Sequence, residues 1–155
     1  MAKKYSLANY YITVSLDSLD EDIRNIFIGE DGQSISIGGE GNHIGSISIS
    51  RSADMYSIDS YNTGGYVFNK NLDASGSLTV NINQLSDIVA KFKQLCNILY
   101  NGDFEPLTLT VYDSSVHAVA ECIDCYPKKI PDQGFANDAA DQTWEFVVGR
   151  VIFKD

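Results

Sequence analysis

Apolar and polar residues alternate along two stretches of the chain that flank an aromatic, glycine-bearing segment. Ile47 and Ile49 alternate with Ser46, Ser48 and Ser50, and Leu78, Val80 and Ile82 alternate with Ser77, Thr79 and Asn81. A period of two places alternate side chains on opposite faces of a strand, so each stretch predicts one apolar and one polar face. Between them lie Met55, Tyr56, Ile58, Tyr61, Tyr66, Val67 and Phe68, interrupted by Asn62, Thr63, Gly64 and Gly65. That order predicts a long hairpin or loop with a tight turn, whose apolar side chains need a partner. The partner could be the core of the same domain or a second molecule.

The same pattern orders the rest of the chain. Residues 9 to 16 alternate through Tyr10, Ile12, Val14 and Leu16 and predict a first strand. Residues 17 to 29 carry Asp17, Asp20, Glu21 and Asp22 ahead of Ile23, Ile26, Phe27 and Ile28; that spacing fits a short helical turn or a loop closing on the core, and the loop is the favoured reading. Glu30 to Gly32 reads as a turn and Ser34 to Ile37 as a short strand. The period changes near residue 84: Leu85, Ile88, Val89, Phe92, Leu95, Cys96 and Leu99 recur every three or four positions, predicting one amphipathic helix over about residues 84–100. Asn83 or Ser86 could cap its start, and Asn101, Gly102 and Pro106 end it. Two further strands follow, around Leu107 to Tyr112 and Val116 to Tyr126, and a terminal strand runs through Trp144, Phe146, Val148 and Ile152 with a bulge at Gly149. The expected fold is mainly β, an antiparallel β-sandwich or partial barrel of about seven or eight strands with one flanking helix.

Length and charge narrow the function. A chain of 155 residues supports one core, so residues 1–155 are expected to form a single domain. No apolar run reaches the roughly 18 to 20 residues of a membrane span, and a soluble protein made in the cytoplasm is expected, with no membrane partner. The net charge of -10, from 21 acidic against 11 basic residues, opposes tight binding of nucleic acid. It suits a surface past which DNA must slide without sticking.

Candidate chemistry is sparse. Cys122 and Cys125 form a Cys-x-x-Cys, but Cys96, His43 and His117 do not complete a zinc spacing. Positions three apart on an extended strand face opposite ways, so the two thiols converge only across a bulge. An odd cysteine count makes a disulfide framework unexpected. His117 and Glu121 share a strand face without a nucleophile elbow, and a solvated face accounts for them better than half a triad. The glycines at residues 38 to 41 match no phosphate-binding loop, and the acidic residues between 20 and 31 do not follow a calcium-loop pattern. No cofactor, metal or catalytic residue is expected, and the chain is not read as an enzyme.

The order of three segments carries a resemblance. The glycine turn at Gly38 to Gly41, the strand passage from Asp73 to Val80, and the helix start from Ser86 onward occur in the sequence of elements of tail tube proteins from contractile-tailed, Mu-like bacteriophages and related tailocins. With the closing hairpin and terminal strand, the resemblance covers roughly residues 30 to 153. Residues 17 to 29 and the cysteine pair fall outside that pattern. The resemblance implies a structural virion protein that assembles into stacked, hexameric rings whose strands join into a β-barrel. DNA passes through the channel as non-specific cargo, and sheath, baseplate and tape measure proteins are partners. The expected location is the phage tail, after synthesis in the host bacterial cytoplasm. On this reading Met55, Tyr56, Ile58, Tyr61, Tyr66 and Phe68 form a subunit interface, and Ser46, Ser48, Ser50, Thr79 and Asn81 face the lumen. The alternative is a monomeric β-sandwich that binds a ligand or carbohydrate through Trp144 and exposed tyrosines.

Overall fold

A computed structural model describes residues 10–16, 19–29, 36–38, 44–113, 118–133 and 140–154. Its elements in chain order are β1 (Tyr11–Val14), α1 (Glu21–Phe27), β2 (Ser36–Gly38), β3 (Ile44–Arg51), β4 (Tyr56–Ser60), β5 (Tyr66–Lys70), β6 (Gly76–Asn83), α2 (Asp87–Tyr100), β7 (Leu107–Tyr112), β8 (Ala118–Pro127) and β9 (Asp141–Phe153). Among the described residues, seven strands form one sheet in the order β2-β1-β7-β8-β9-β6-β3, and β4 and β5 pair with each other in a second. Every described pairing is antiparallel.

The alternation in β6 sets the core. Gly76, Leu78, Val80 and Ile82 are buried, and the register pairs them with Val148, Phe146, Trp144 and Gln142 of β9, so all eight lie on one face. Helix α2 covers that face with Ile88, Val89, Phe92, Leu95 and Cys96. Phe92 is the hub: its ring centroid lies 5.3 Å from those of both Trp144 and Phe146, and 6.3 Å from that of Phe27 on α1. Tilted and edge contacts of this kind add about 0.5–1.5 kcal/mol each beyond the area they bury. The sheet curls into a half-barrel, because Ile47 and Ile49 on edge strand β3 line the same groove as Val111 and Ala120, which lie on β7 and β8.

Residues 21 to 27 are helical, which corrects the reading of residues 17 to 29 as a loop. Ile23, Ile26 and Phe27, spaced three and four apart, are all buried on one side of α1. Seven residues are too few for a helix to be stable alone, so packing against α2, rather than propensity, holds this turn of chain. The Asp20 carboxylate accepts a hydrogen bond from the Glu105 N–H at 3.1 Å, tying the start of α1 to the loop after α2. Ser86 takes the N-cap position of α2 and Asn101 its C-cap, with the Asn101 side chain donating to the Asn97 carbonyl at 2.9 Å.

Two local devices shape the sheet. Gly76 has no room for a side chain: a Cβ there would meet the Ser50 carbonyl oxygen at 2.0 Å. This close approach holds β6 against β3 at the base of the β4–β5 hairpin. In β8, Asp124 adopts φ 59, and the register with β7 slips from Leu109↔Cys122 to Leu107↔Cys125, three residues against two. That extra residue is a β-bulge. Buried positions in β9 change phase beside it, from Val148 to Val151 across Gly149 and Arg150, so Val151 is fully buried while Ile152 is half-buried. The bulge expected at Gly149 of β9 lies instead in β8, at Asp124 opposite it, while β9 keeps its register with β8. A Cβ at Gly149 would lie 3.2 Å from that of Asp124.

Candidate assembly site

The aromatic segment projects as a two-stranded ribbon. Tyr61 to Gly64 form its turn, with the Gly64 N–H donating to the Tyr61 carbonyl at 3.0 Å and the Tyr61 N–H to that of Gly65 at 2.9 Å. Gly64 sits at φ 87, a conformation that glycine adopts without penalty. The register pairs Tyr56 with Lys70, Ile58 with Phe68 and Ser60 with Tyr66. Cross-strand partners share a face, so Tyr56, Ile58, Tyr66 and Phe68 form one apolar side, and Ser57, Asp59, Val67 and Asn69 the other. Tyr66 and Phe68 meet edge to face at 5.5 Å, and Asn69 donates to the Asp59 carboxylate at 2.8 Å on the opposite side.

Every residue of both strands is exposed. Tyr66 and Phe68 each leave 63% of their surface open. Met55 and Tyr61, at the two ends of the ribbon, are exposed as well, so all six residues expected at an interface are brought together on this projection. Its apolar side chains do not join the domain core. Val67 and Leu72 are also exposed and extend the apolar surface beyond that set. Leu72 stands in a polar sequence that gives no periodic signal.

The ribbon is anchored at its root. Arg51 donates to the Val151 carbonyl at 3.0 Å and lies over the Phe153 ring at 5.5 Å. The Met55 carbonyl accepts from the Asn71 N–H, and Asn71 and Asp73 side chains cap successive turns by accepting from the N–H groups of Asp73 and Ser75. Hydrogen bonds from Ser75 hold the Asp73 carboxyl below its ordinary range. An isolated two-stranded hairpin is marginal in water. This one is held by its base and presents its apolar side outward.

Opposite the helices, the sheet carries a hydroxyl and amide surface. The register pairs Ser46 with Asn81, Ser48 with Thr79 and Ser50 with Ser77, so all five residues expected to face a lumen share one face of the sheet. They are linked across strands: Asn81 donates to the Ser46 hydroxyl at 2.8 Å, the Thr143 hydroxyl donates to Asn81 at 2.6 Å, and the Ser50 and Ser77 hydroxyls lie 3.1 Å apart. Thr143 was outside the expected set, and its pairing with Asn81 comes from the register of β9. The charges nearby are matched, with Lys128 3.2 Å from Glu145. Among the described residues, β2 and β3 are the edge strands of the sheet, with no further strand paired beyond them.

Other candidate chemistry finds less support in this geometry. Trp144 is fully buried under Phe92, and its ring N–H donates to Gln142 at 3.3 Å, so it offers no platform for a sugar. Glu121 pairs with Lys154 at 3.2 Å. His43, His117, Gly39 to Gly41 and the expected turn at residues 30 to 32 lie outside the described residues. Among the described residues, no group of three or more His, Cys, Asp or Glu side chains could hold a metal, and no helix is long and apolar enough to cross a membrane.

Residues 20–154 match the family model described as Bacteriophage PhiTE tail tube protein. The chain belongs to this tail tube family. No individually curated protein sequence matches it significantly. Solved structures of similar fold come from contractile injection systems. A chain from the sheath/tube terminator of an extracellular contractile injection system (PVC) in the extended state aligns with a TM-score of 0.61 at 13% identity, covering 99% of each chain. One from the sheath-tube complex of such a system aligns at 0.54 and 13% identity, over 97% of this tail tube family member and 91% of the other chain. A third, from the anti-feeding prophage baseplate, aligns at 0.52 and 10% identity, over 99% and 98%. At these identities the likeness is one of fold. The expected kinship with contractile-tail tube proteins and the expected β-rich, partly barrelled fold are both found.

Proposed function

We propose that this protein is a non-enzymatic tail tube protomer, a single-domain subunit whose work is to assemble with copies of itself. Subunits join side by side into a ring, hexameric by family analogy, and rings stack into a hollow tube in the phage tail. The observation that carries this reading is the one-sided apolar hairpin, which no monomer needs and a repeating assembly can bury. Burying its four apolar side chains removes about 400–500 Å² of accessible surface, given the 150–250 Å² that an aromatic side chain offers. Ring neighbours would also satisfy the open sheet edges, which otherwise invite uncontrolled pairing.

The hydroxyl and amide face, with Ser46, Ser48, Ser50, Thr79 and Asn81, lines the lumen on this proposal. It offers passing DNA neutral groups in place of fixed lysines, and the acidic balance of the chain keeps phosphates from adhering. Sheath, baseplate and tape measure proteins are the further partners, contacting the outside and ends of the tube. Negative-stain microscopy of the purified protein at high concentration tests the proposal. Rings or straight hollow tubes are expected, and a strictly monomeric species would refute it.

A further inference from the structure

The bulge in β8 does something the alternation of the strand alone would not do. Cys122 and Cys125 would face opposite sides of a regular strand, yet both are fully buried in the core. Their β7 partners, Leu109 and Leu107, are two residues apart, so the two Cα atoms span about the length of a two-residue strand step, roughly 6.7 Å. This lies at the upper end of the roughly 4.4–6.8 Å range over which two cysteines can be bridged. The Cys125 thiol already reaches back across the bulge, donating to the Cys122 carbonyl at 3.0 Å. Both cysteines are free.

We propose that Cys122 and Cys125 form an oxidisable dithiol, a modification site at which a small hydroperoxide closes an intramolecular disulfide across the bulge. The Cys122 thiolate attacks one oxygen of hydrogen peroxide. The O–O bond breaks, Cys122 becomes a sulfenic acid, and the departing hydroxide takes up a proton as water. Cys125 sulfur then attacks the Cys122 sulfur, the S–O bond breaks, and the oxygen leaves as a second water with the Cys125 proton. Two thiols thus lose two electrons and two protons, and the peroxide gains them. The order of attack follows from the environment: hydrogen bonding between the two thiols holds Cys122 below its ordinary value, whereas the same thiol contact and burial push Cys125 up. The bond pins the residue pair at which β8 and β9 change phase, and so fixes the curl of the sheet.

The test treats the full-length protein, diluted below the concentration at which it assembles, with hydrogen peroxide in native buffer, then unfolds it in an alkylating agent. Chymotryptic cleavage after Tyr100 and Tyr112 separates Cys96 from the pair. The exposed thioether of Met55, with 56% of the residue open, reports by its oxidation that the peroxide dose sufficed. At a dose that oxidises Met55, the peptide holding Cys122 and Cys125 is expected to lose two hydrogen atoms and both alkyl groups, and to regain them after a dithiol reductant. Cys96 keeps its alkyl group. In Cys125→Ser protein with an unchanged far-ultraviolet circular dichroism spectrum, a sulfenic acid trap should label Cys122 instead. Full alkylation of both cysteines at a dose that oxidises Met55 overturns the proposal, as does a bond from either of them to Cys96 or to a second chain.

Discussion

Replacing Phe68 with Ser separates assembly from folding. In the isolated subunit 63% of Phe68 is open. Taking a phenylalanine side chain as about 200 Å², some 125 Å² remains for a neighbour to cover. At roughly 25 cal/mol per Å², that contact is worth about 3 kcal/mol per subunit, or about a hundredfold in an association constant. The part of Phe68 already covered lies against Tyr66 and Ile58 within the ribbon. The ribbon's side chains lie outside the domain core, so the global unfolding transition of the sheet should not register the loss. Sedimentation at graded concentrations would measure the critical concentration for assembly, and urea unfolding of the dilute monomer would measure stability. The critical concentration should rise about a hundredfold, with the unfolding midpoint unchanged. Assembly at the wild-type concentration would refute the role of the apolar side. A large drop in the unfolding midpoint would instead show that Phe68 supports the domain.

Phe92→Ala should be the converse case, lowering stability by about 3–5 kcal/mol in urea unfolding, because the cavity opens between Trp144, Phe146 and Phe27. Tyr126 supplies a pH dependence. Its hydroxyl donates to the Phe104 carbonyl, and desolvation followed by the charges of Glu105 and Asp124 raises its pKa above 10.0. The unfolded chain therefore loses this proton first, so its contribution to stability is complete below about pH 10 and is lost as pH rises through the folded value. Stability measured from pH 9 to 11 should fall less steeply in Tyr126→Phe protein than in wild type.

The reach of sequence reasoning differs element by element. The stretches around Ile47 and Leu78 were legible because period two fixes which residues travel together on a face, and α2 was legible because its three-and-four spacing persists for several turns. The spacing of Ile23, Ile26 and Phe27 covers barely two turns, which fits a short helix as well as an apolar loop, and contact with α2 decided for the helix. The six residues of the aromatic ribbon could be named from composition and turn chemistry. Whether they entered the core depended on where the chain at residues 51 and 76 is held, which is a matter of long-range pairing.

Local pattern determined the partition of side chains within each strand, since neighbouring residues on extended chain must alternate. The sequence by itself therefore defined an apolar set, a hydroxyl set and an aromatic hairpin. Only the tertiary structure decided the relation between these sets. The register of β3, β6 and β9 joined Ser46, Asn81 and Thr143 into one bonded face, residues far apart in the chain that no local period relates. The positive φ at Asp124 reset the alternation of β8 and brought Cys122 and Cys125 to the same side. The covering of one sheet face by α2 left the opposite face and the ribbon outside, where their chemistry is available to other molecules.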